Sequence, residues 1–324
     1  MPAENANLSA TQCAVLGSGT MGAQIALSLA LGGTSVHLWG RRAEGRDEAQ
    51  KRIAAAYEFL IESGLASKAE RLPVLERVTI ANSVDQAVAG SDFILEAVAE
   101  DLDTKSALLT EAEKSAPETA ILSSTTSALS PTTIQSALKR PEAFCVAHYA
   151  QPAHLVSLVE VVPGKDTAAT TTQFVTDLLN QTGKTPVLCP DVPGFLWARI
   201  QHAVLREFAS LVGQGLVTPE VCDTILKQGY AARLPAMGAF EHADLAGLDL
   251  MNSPAAKAVW ADLSNISDPA DTPVGELFAS GKLGMKSGQG FYDWQTRNPD
   301  AFKQARDEEI VRRAKIQKGA KVTF

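Results

Sequence analysis

His148 closes a short apolar run, residues 144–148, and Glu160 follows twelve residues later inside a second run, residues 156–162. A carboxylate among apolar strand residues is costly to bury without a partner, and an imidazole is a suitable one. Together they would make an oriented general base that works near neutral pH. A packed core histidine and a strand glutamate turned to solvent would leave the same trace.

A second group able to do chemistry is Gly17-Ser18-Gly19-Thr20-Met21-Gly22, which reads G-x-G-x-x-G. It follows an apolar run at residues 12–16 and opens helical spacing over residues 21–31, which Gly32-Gly33 stops. In that setting Gly17 makes a tight turn, Gly19 lets the backbone approach a pyrophosphate and Gly22 lets helix and strand pack closely. Thr20 and Met21 belong to the same cofactor-binding turn. The next strand, residues 35–39, leads into Gly40-Arg41-Arg42, where an NAD site usually carries an acid for the ribose 2'-hydroxyl. Gly40 removes a carboxylate that would repel a 2'-phosphate, and Arg41 and Arg42 offer forked, permanently charged donors to hold one. The expectation is NADP as preferred cofactor, with NAD also possible; a solvated turn on an NAD-using enzyme is the plainer alternative.

The elements that must position these groups follow from periodicity. Strand, glycine turn, helix and strand within the first forty residues open a parallel, doubly wound sheet. Residues 47–77 read as an inserted helical hairpin, with Ile53, Tyr57, Leu60 and Ile61 on one face. Further strands are expected at residues 78–81, 93–97 and 120–123, besides the two that carry His148 and Glu160. After Asp191-Val192-Pro193-Gly194 the texture turns helical, beginning with residues 195–212. The fold expected is α/β, a Rossmann-type domain over residues 1–190 with an all-helical substrate and dimerisation domain over residues 191–324. Residues 299–321 are mostly charged with no clear apolar face, which reads as a solvated helix or a partly disordered extension.

The chain's 324 residues suit two cores better than one. A net charge of -8 argues against nucleic acid and anionic membrane as partners. Cys13, Cys145, Cys189 and Cys222 form no C-x-x-C pair, so neither a metal site nor a disulfide framework is expected. No apolar run reaches the ~20 residues that span a bilayer. The first eleven residues lack the pattern of a secretory signal; they read as a loose leader, and the expected location is cytoplasmic.

The stretch Ala147-His148-Tyr149-Ala150-Gln151-Pro152 through Leu158-Val159-Glu160-Val161-Val162 resembles the H-F-F-N-P...L-V-E-V pattern of the 3-hydroxyacyl-CoA dehydrogenase family. Residues 96–102, 123–130, 191–195, 237–249 and 284–292 agree with that family in order, so the resemblance covers residues 12–294. It implies hydride transfer between a secondary alcohol and a nicotinamide, with His148 exchanging the hydroxyl proton, Glu160 fixing its tautomer and Ser127 bonding near the reacting oxygen. It also implies that Glu100 and Lys105 line the cofactor's ribose side. From the residues alone, Glu100 could equally be part of an acidic helix start, and Ser127 a plain loop serine.

The chain departs from the family pattern at Ala198, where an asparagine is usual, and at Ala150 and Gln151, which replace an aromatic residue and an asparagine. Alcohol oxidation needs the base and the cofactor, whereas substrate choice lives in the surrounding contacts such as Gln151 and Ala198. The expected substrate is a small molecule, a 3-hydroxyacyl-CoA or related 3-hydroxy acid. The alternative is a free acid of the gulonate, carnitine or pyridine-carbinol type. Arg46, Lys51 and Arg52 on the hairpin could land a CoA nucleotide or form a solvated helix face. A homodimer is expected, and the rival reading from another class is a non-catalytic, crystallin-like or nucleotide-sensing protein.

Overall fold

The computed structural model describes residues 11–319; most of the stretch expected as a loose leader lies outside them. The chain divides into two compact units, one running to Arg199 and taking in the chain from Gln304 on, the other Ile200–Lys303.

The first unit is built on an eight-stranded sheet in the order β3-β2-β1-β4-β5-β6-β7-β8. Its strands are β1 (Gln12–Leu16), β2 (Ser35–Trp39), β3 (Val78–Ala81), β4 (Phe93–Glu96), β5 (Ile121–Ser124), β6 (Phe144–Tyr149), β7 (Leu158–Pro163) and β8 (Thr185–Leu188). Strands β1 to β6 are parallel, while β7 runs antiparallel to β6 and β8 follows β7. Helices lie between them: α1 (Thr20–Leu31), α2 (Ala43–Glu62), α3 (Arg71–Glu76), α4 (Val84–Val88), α5 (Leu102–Ser115), α6 (Pro131–Gln135) and α7 (Ala169–Gln181). Every residue of β4 and β6 is buried, as a sheet covered on both faces requires. The chain order reverses between β1 and β4, and ligands of such sheets bind at the strand ends beside that reversal.

The expected helical hairpin is α2 with the short α3; Ile53, Tyr57 and Leu60 are buried, and the Tyr57 hydroxyl donates to Ser67 O at 3.0 Å. Strand β8 is the one the sequence hides. It lies at the sheet edge, only Pro186 is even partly covered, and an edge strand tolerates a proline that breaks the usual pattern.

The helical texture expected after residue 195 begins with α8 (Trp197–Gly213), which leads out of the first unit. The second unit continues with α9 (Pro219–Ile225), α10 (Ala231–Arg233), α11 (Ala239–Ala246), α12 (Leu248–Met251), α13 (Pro254–Asp262) and α14 (Pro273–Ala279). Large apolar side chains stay in solvent there: Phe240 is 89% exposed and Trp260 78%. The charged tail forms α15 (Pro299–Gly319), and its later part belongs to the first unit, where Val311 is buried and Ile310 packs against the main core. Two inward apolar residues are too few to show as a periodic stripe. No helix among the described residues is long and apolar enough to cross a membrane.

Candidate active site

His148 on β6 and Glu160 on β7 stand directly opposite each other in the antiparallel register, so both side chains project from one face of the sheet. The spacing of twelve residues is thus a hairpin spacing. Nδ1 of His148 lies 2.8 Å from Oε2 of Glu160. An ionised carboxylate only accepts, so Nδ1 carries a proton, and in the neutral imidazole Nε2 is the nitrogen with the lone pair. The other carboxylate oxygen, Oε1, accepts from the backbone amides of Leu196 at 2.8 Å and Trp197 at 2.9 Å, and Cys189 Sγ lies 3.5 Å away. Burial pushes the Glu160 carboxyl up, but the bonds from His148, Trp197 and Leu196 together outweigh it and hold the carboxyl below its ordinary value.

The amides that hold Glu160 were not visible as functional groups in the sequence. They come from the turn at Gly194 and Phe195, both with positive φ, 75° and 49°. A left-handed phenylalanine is unusual. Its ring is fully buried, with its centroid 5.7 Å from that of His148. The proline-glycine-phenylalanine sequence was the available signal.

At the end of β1, Gly17 has φ 140°, and a Cβ there would sit 2.3 Å from Ala97 O. A Cβ on Gly22 would meet Gly17 O at 1.8 Å, whereas one on Gly19 would meet nothing within 4 Å. The first and third glycines are therefore packing requirements, and the second faces an open cradle. Gly19 caps α1 without a side-chain bond, leaving the amides of the first turn, at Thr20, Met21 and Gly22, for an anion. These features fit a dinucleotide's pyrophosphate. Beyond β2, Gly40 is packed so closely that a Cβ would come 2.1 Å from Ser18 Oγ. Arg41 and Arg42 are exposed beside it, and Arg46 Nη1 donates to Gly40 O at 2.9 Å.

Ser127 is exposed on the loop after β5. Glu100 receives the Thr126 hydroxyl and the Ser127 amide, the latter at 3.0 Å, and Tyr149 N donates to Thr125 Oγ1 at 3.2 Å. The start of the Ser127 loop is thereby tied to the residue after His148. Lys105 is only 1% exposed, and its ammonium reaches Glu96 Oε1 and Oε2 at 3.0 and 3.1 Å and Glu100 Oε2 at 3.3 Å. Burial works against the charge on Glu100, but Thr126, Lys105 and the Ser127 amide outweigh it and keep its carboxyl below the usual range.

Gln151 is exposed three residues past His148, and Ala198 follows Trp197 in the first turn of α8. A cavity of about 360 Å³ lies beside the Ser127 loop, lined by Ala128, Ser130, Thr132, Asp191, Val192 and Pro193. Burial pushes the thiols of Cys13, Cys145 and Cys189 up to about 12, so they are not nucleophiles near neutral pH. Among the described residues no group of His, Cys, Asp and Glu could hold a metal ion.

The family model described as the NAD binding domain of 3-hydroxyacyl-CoA dehydrogenase matches residues 12–192, and the model of its C-terminal domain matches residues 194–294. A 5-formyl-3-hydroxy-2-methylpyridine 4-carboxylate 5-dehydrogenase of Mesorhizobium japonicum is 30% identical over 94% of this chain and 98% of its own length. A solved structure described as a dehydrogenase of that acid, an NAD+ dependent dismutase, matches with TM-score 0.88 and 30% identity over 96% of this chain and 99% of its own. The (S)-3-hydroxybutyryl-CoA dehydrogenase structure from Ralstonia eutropha matches with TM-score 0.73 and 28% identity, over 87% of this chain and 98% of its own. Other relatives are longer, and this chain spans 58% and 39% of the length of two of them. With both family domains matched in order and the glycine turn and the histidine–glutamate pair built as described, the chain belongs to the 3-hydroxyacyl-CoA dehydrogenase family.

Proposed function

We propose that the chain is a nicotinamide-dependent dehydrogenase that oxidises a hydroxyl-bearing carbon of a small carboxylic acid, with His148 as general base and Glu160 as the group that orients it. The observation that carries this reading is the buried Nδ1 to Oε2 contact of 2.8 Å, with Oε1 already held by two backbone amides. Glu160 fixes the tautomer, so Nε2 takes the hydroxyl proton, and the nearby carboxylate stabilises the imidazolium that forms. A nicotinamide dinucleotide held at the glycine turn and the first amides of α1 would supply the hydride acceptor. Ser127 bonds to the reacting oxygen, the sheet unit that runs to Arg199 serves as the dinucleotide domain, and the helical unit Ile200–Lys303 serves substrate binding and the dimer. Phe240 and Trp260, left in solvent, are the kind of surface a second copy would cover.

A free acid is favoured over a CoA thioester. A likeness at 30% identity that runs nearly the full length of both chains is to a protein named for a pyridine carboxylate. The hairpin cations are also partly engaged: Arg46 bonds Gly40 O, and Arg52 pairs with Glu48 and donates to Ser18 O. NADP is the proposed cofactor, supported by Gly40 in place of an acid and by the exposed Arg41 and Arg42. Turnover with NADP and NAD over a panel of 3-hydroxybutyryl-CoA, hydroxy acids, carnitine and pyridine carbinols tests both points. Activity on the free acids or ring alcohols with NADP is expected. Activity confined to the thioester overturns the substrate reading, and tighter binding of NAD than of NADP overturns the arginine argument.

A further inference from the structure

Lys105, expected on the cofactor's ribose side, sits in a buried cluster of carboxylates. Lys105 Nζ bonds both oxygens of Glu96, reaches Val98 O at 3.3 Å and touches Glu100 Oε2 at 3.3 Å. Glu96, fully buried at the end of β4, also accepts Ser124 Oγ at 2.6 Å and Val98 N at 2.5 Å. Neither residue has a place in the proton and hydride chemistry described above.

Their position accounts for them. Strand β4 lies between β1, whose end carries the dinucleotide turn, and β5, whose end carries the Ser127 loop. On the β1 side, Ala97 N donates to Leu16 O at 2.8 Å, and the Ala97 backbone touches Gly17 so closely that no Cβ fits. On the β5 side, Thr125 N donates to Glu96 O at 3.0 Å, and Glu100 holds Thr126 and the Ser127 amide. Glu100 is itself half exposed, with 45% of its side chain in solvent. Left alone, such a side chain samples several rotamers, and the loop it holds would sample them too.

We propose that Glu96 and Lys105 are positioning residues: the buried pair fixes Glu100, and through Glu100 it holds the Ser127 loop in register with the dinucleotide turn. Two apolar side chains would fill the same core at lower desolvation cost. A carboxylate–ammonium–carboxylate chain does what apolar packing does not, because it directs a half-exposed group along one line. The proposal rests on the reading that Ser127 serves the reacting oxygen.

The test compares K105M, T126V and S127A by kcat, KM, cofactor Kd and the pH profile of kcat/KM. K105M should lower kcat at saturating substrate and cofactor about tenfold and T126V about fivefold, with cofactor Kd within about threefold of wild type. The pH profile should keep its limbs, since His148 and Glu160 are untouched. T126V is nearly isosteric and leaves the Glu96–Lys105 pair intact, so it serves where K105M fails to fold. A large rise in cofactor Kd with kcat preserved in K105M overturns the proposal by making Lys105 a direct cofactor ligand. Slow S127A beside normal T126V overturns the relay alone. Normal S127A turnover overturns the role of Ser127, and the purpose of the relay with it.

Discussion

Two carboxylates are buried in the same sheet, Glu160 within β7 and Glu96 at the end of β4, exposed 2% and 0%, and the protein treats them in opposite ways. Burial pushes both up. At Glu160 an imidazole and two backbone amides outweigh that push, so the group stays charged. At Glu96 burial prevails over Lys105, Ser124 and Val98, and the carboxyl stands above its ordinary value. Backbone amides cost no side-chain entropy to aim, and a turn with two positive-φ residues brings two of them to one oxygen. The difference separates a charge kept to serve a base from a charge kept to serve an architecture.

Removing each carboxylate's charge should therefore give different losses. E160Q should lower kcat about a hundredfold and also lower the melting temperature, because the amide forfeits the charge that the imidazole and two backbone amides favour. E96Q removes a charge whose burial is unfavourable on balance, so it should cost less stability than E160Q while loosening the hold of Lys105 on Glu100 and lowering kcat about tenfold. Thermal unfolding and steady-state kinetics on both variants sharpen the contrast, and an E96Q that unfolds below E160Q or turns over at the wild-type rate breaks it.

The pH dependence follows the same division. Glu160 has a lowered folded value, so it contributes stability above its unfolded value near 4.5 that is lost as pH falls through the folded one. Glu96 has a raised folded value, so its burial costs stability as pH rises from about 4.5 through that value. In denaturant titrations across this range E160Q should flatten the loss on acidification and E96Q should not. The smallest effect belongs to Cys189, whose thiol lies 3.5 Å from Glu160 Oε1. C189A should change kcat by about twofold or less, because the two amides carry that oxygen; a loss as large as that of E160Q would move the orienting role to the thiol.

Much of this was legible in the sequence for stated reasons. The glycine turn was readable because strand and helix flank it, and the His148–Glu160 pair because a carboxylate stands among apolar strand residues at the spacing of the family pattern. Other features were hidden because they depend on tertiary placement. The turn at residues 194–197 supplies amides, which every residue has, so no side chain marked it. Glu96 reads as one more strand end until Lys105, nine positions on, folds back onto it. Strand β8 is short, carries a proline and lies exposed at the edge, and among the described side chains of α15 the main core takes in Ile310 and Val311.

The central claim is that His148, oriented by Glu160, moves the proton. H148Q, assayed for turnover on the substrate that the panel identifies and for cofactor binding by reduced-nicotinamide fluorescence, tests it most directly. Turnover should fall about a thousandfold while cofactor affinity stays within about threefold. Near-normal turnover in H148Q would contradict the account, and the base would have to be sought elsewhere in the site.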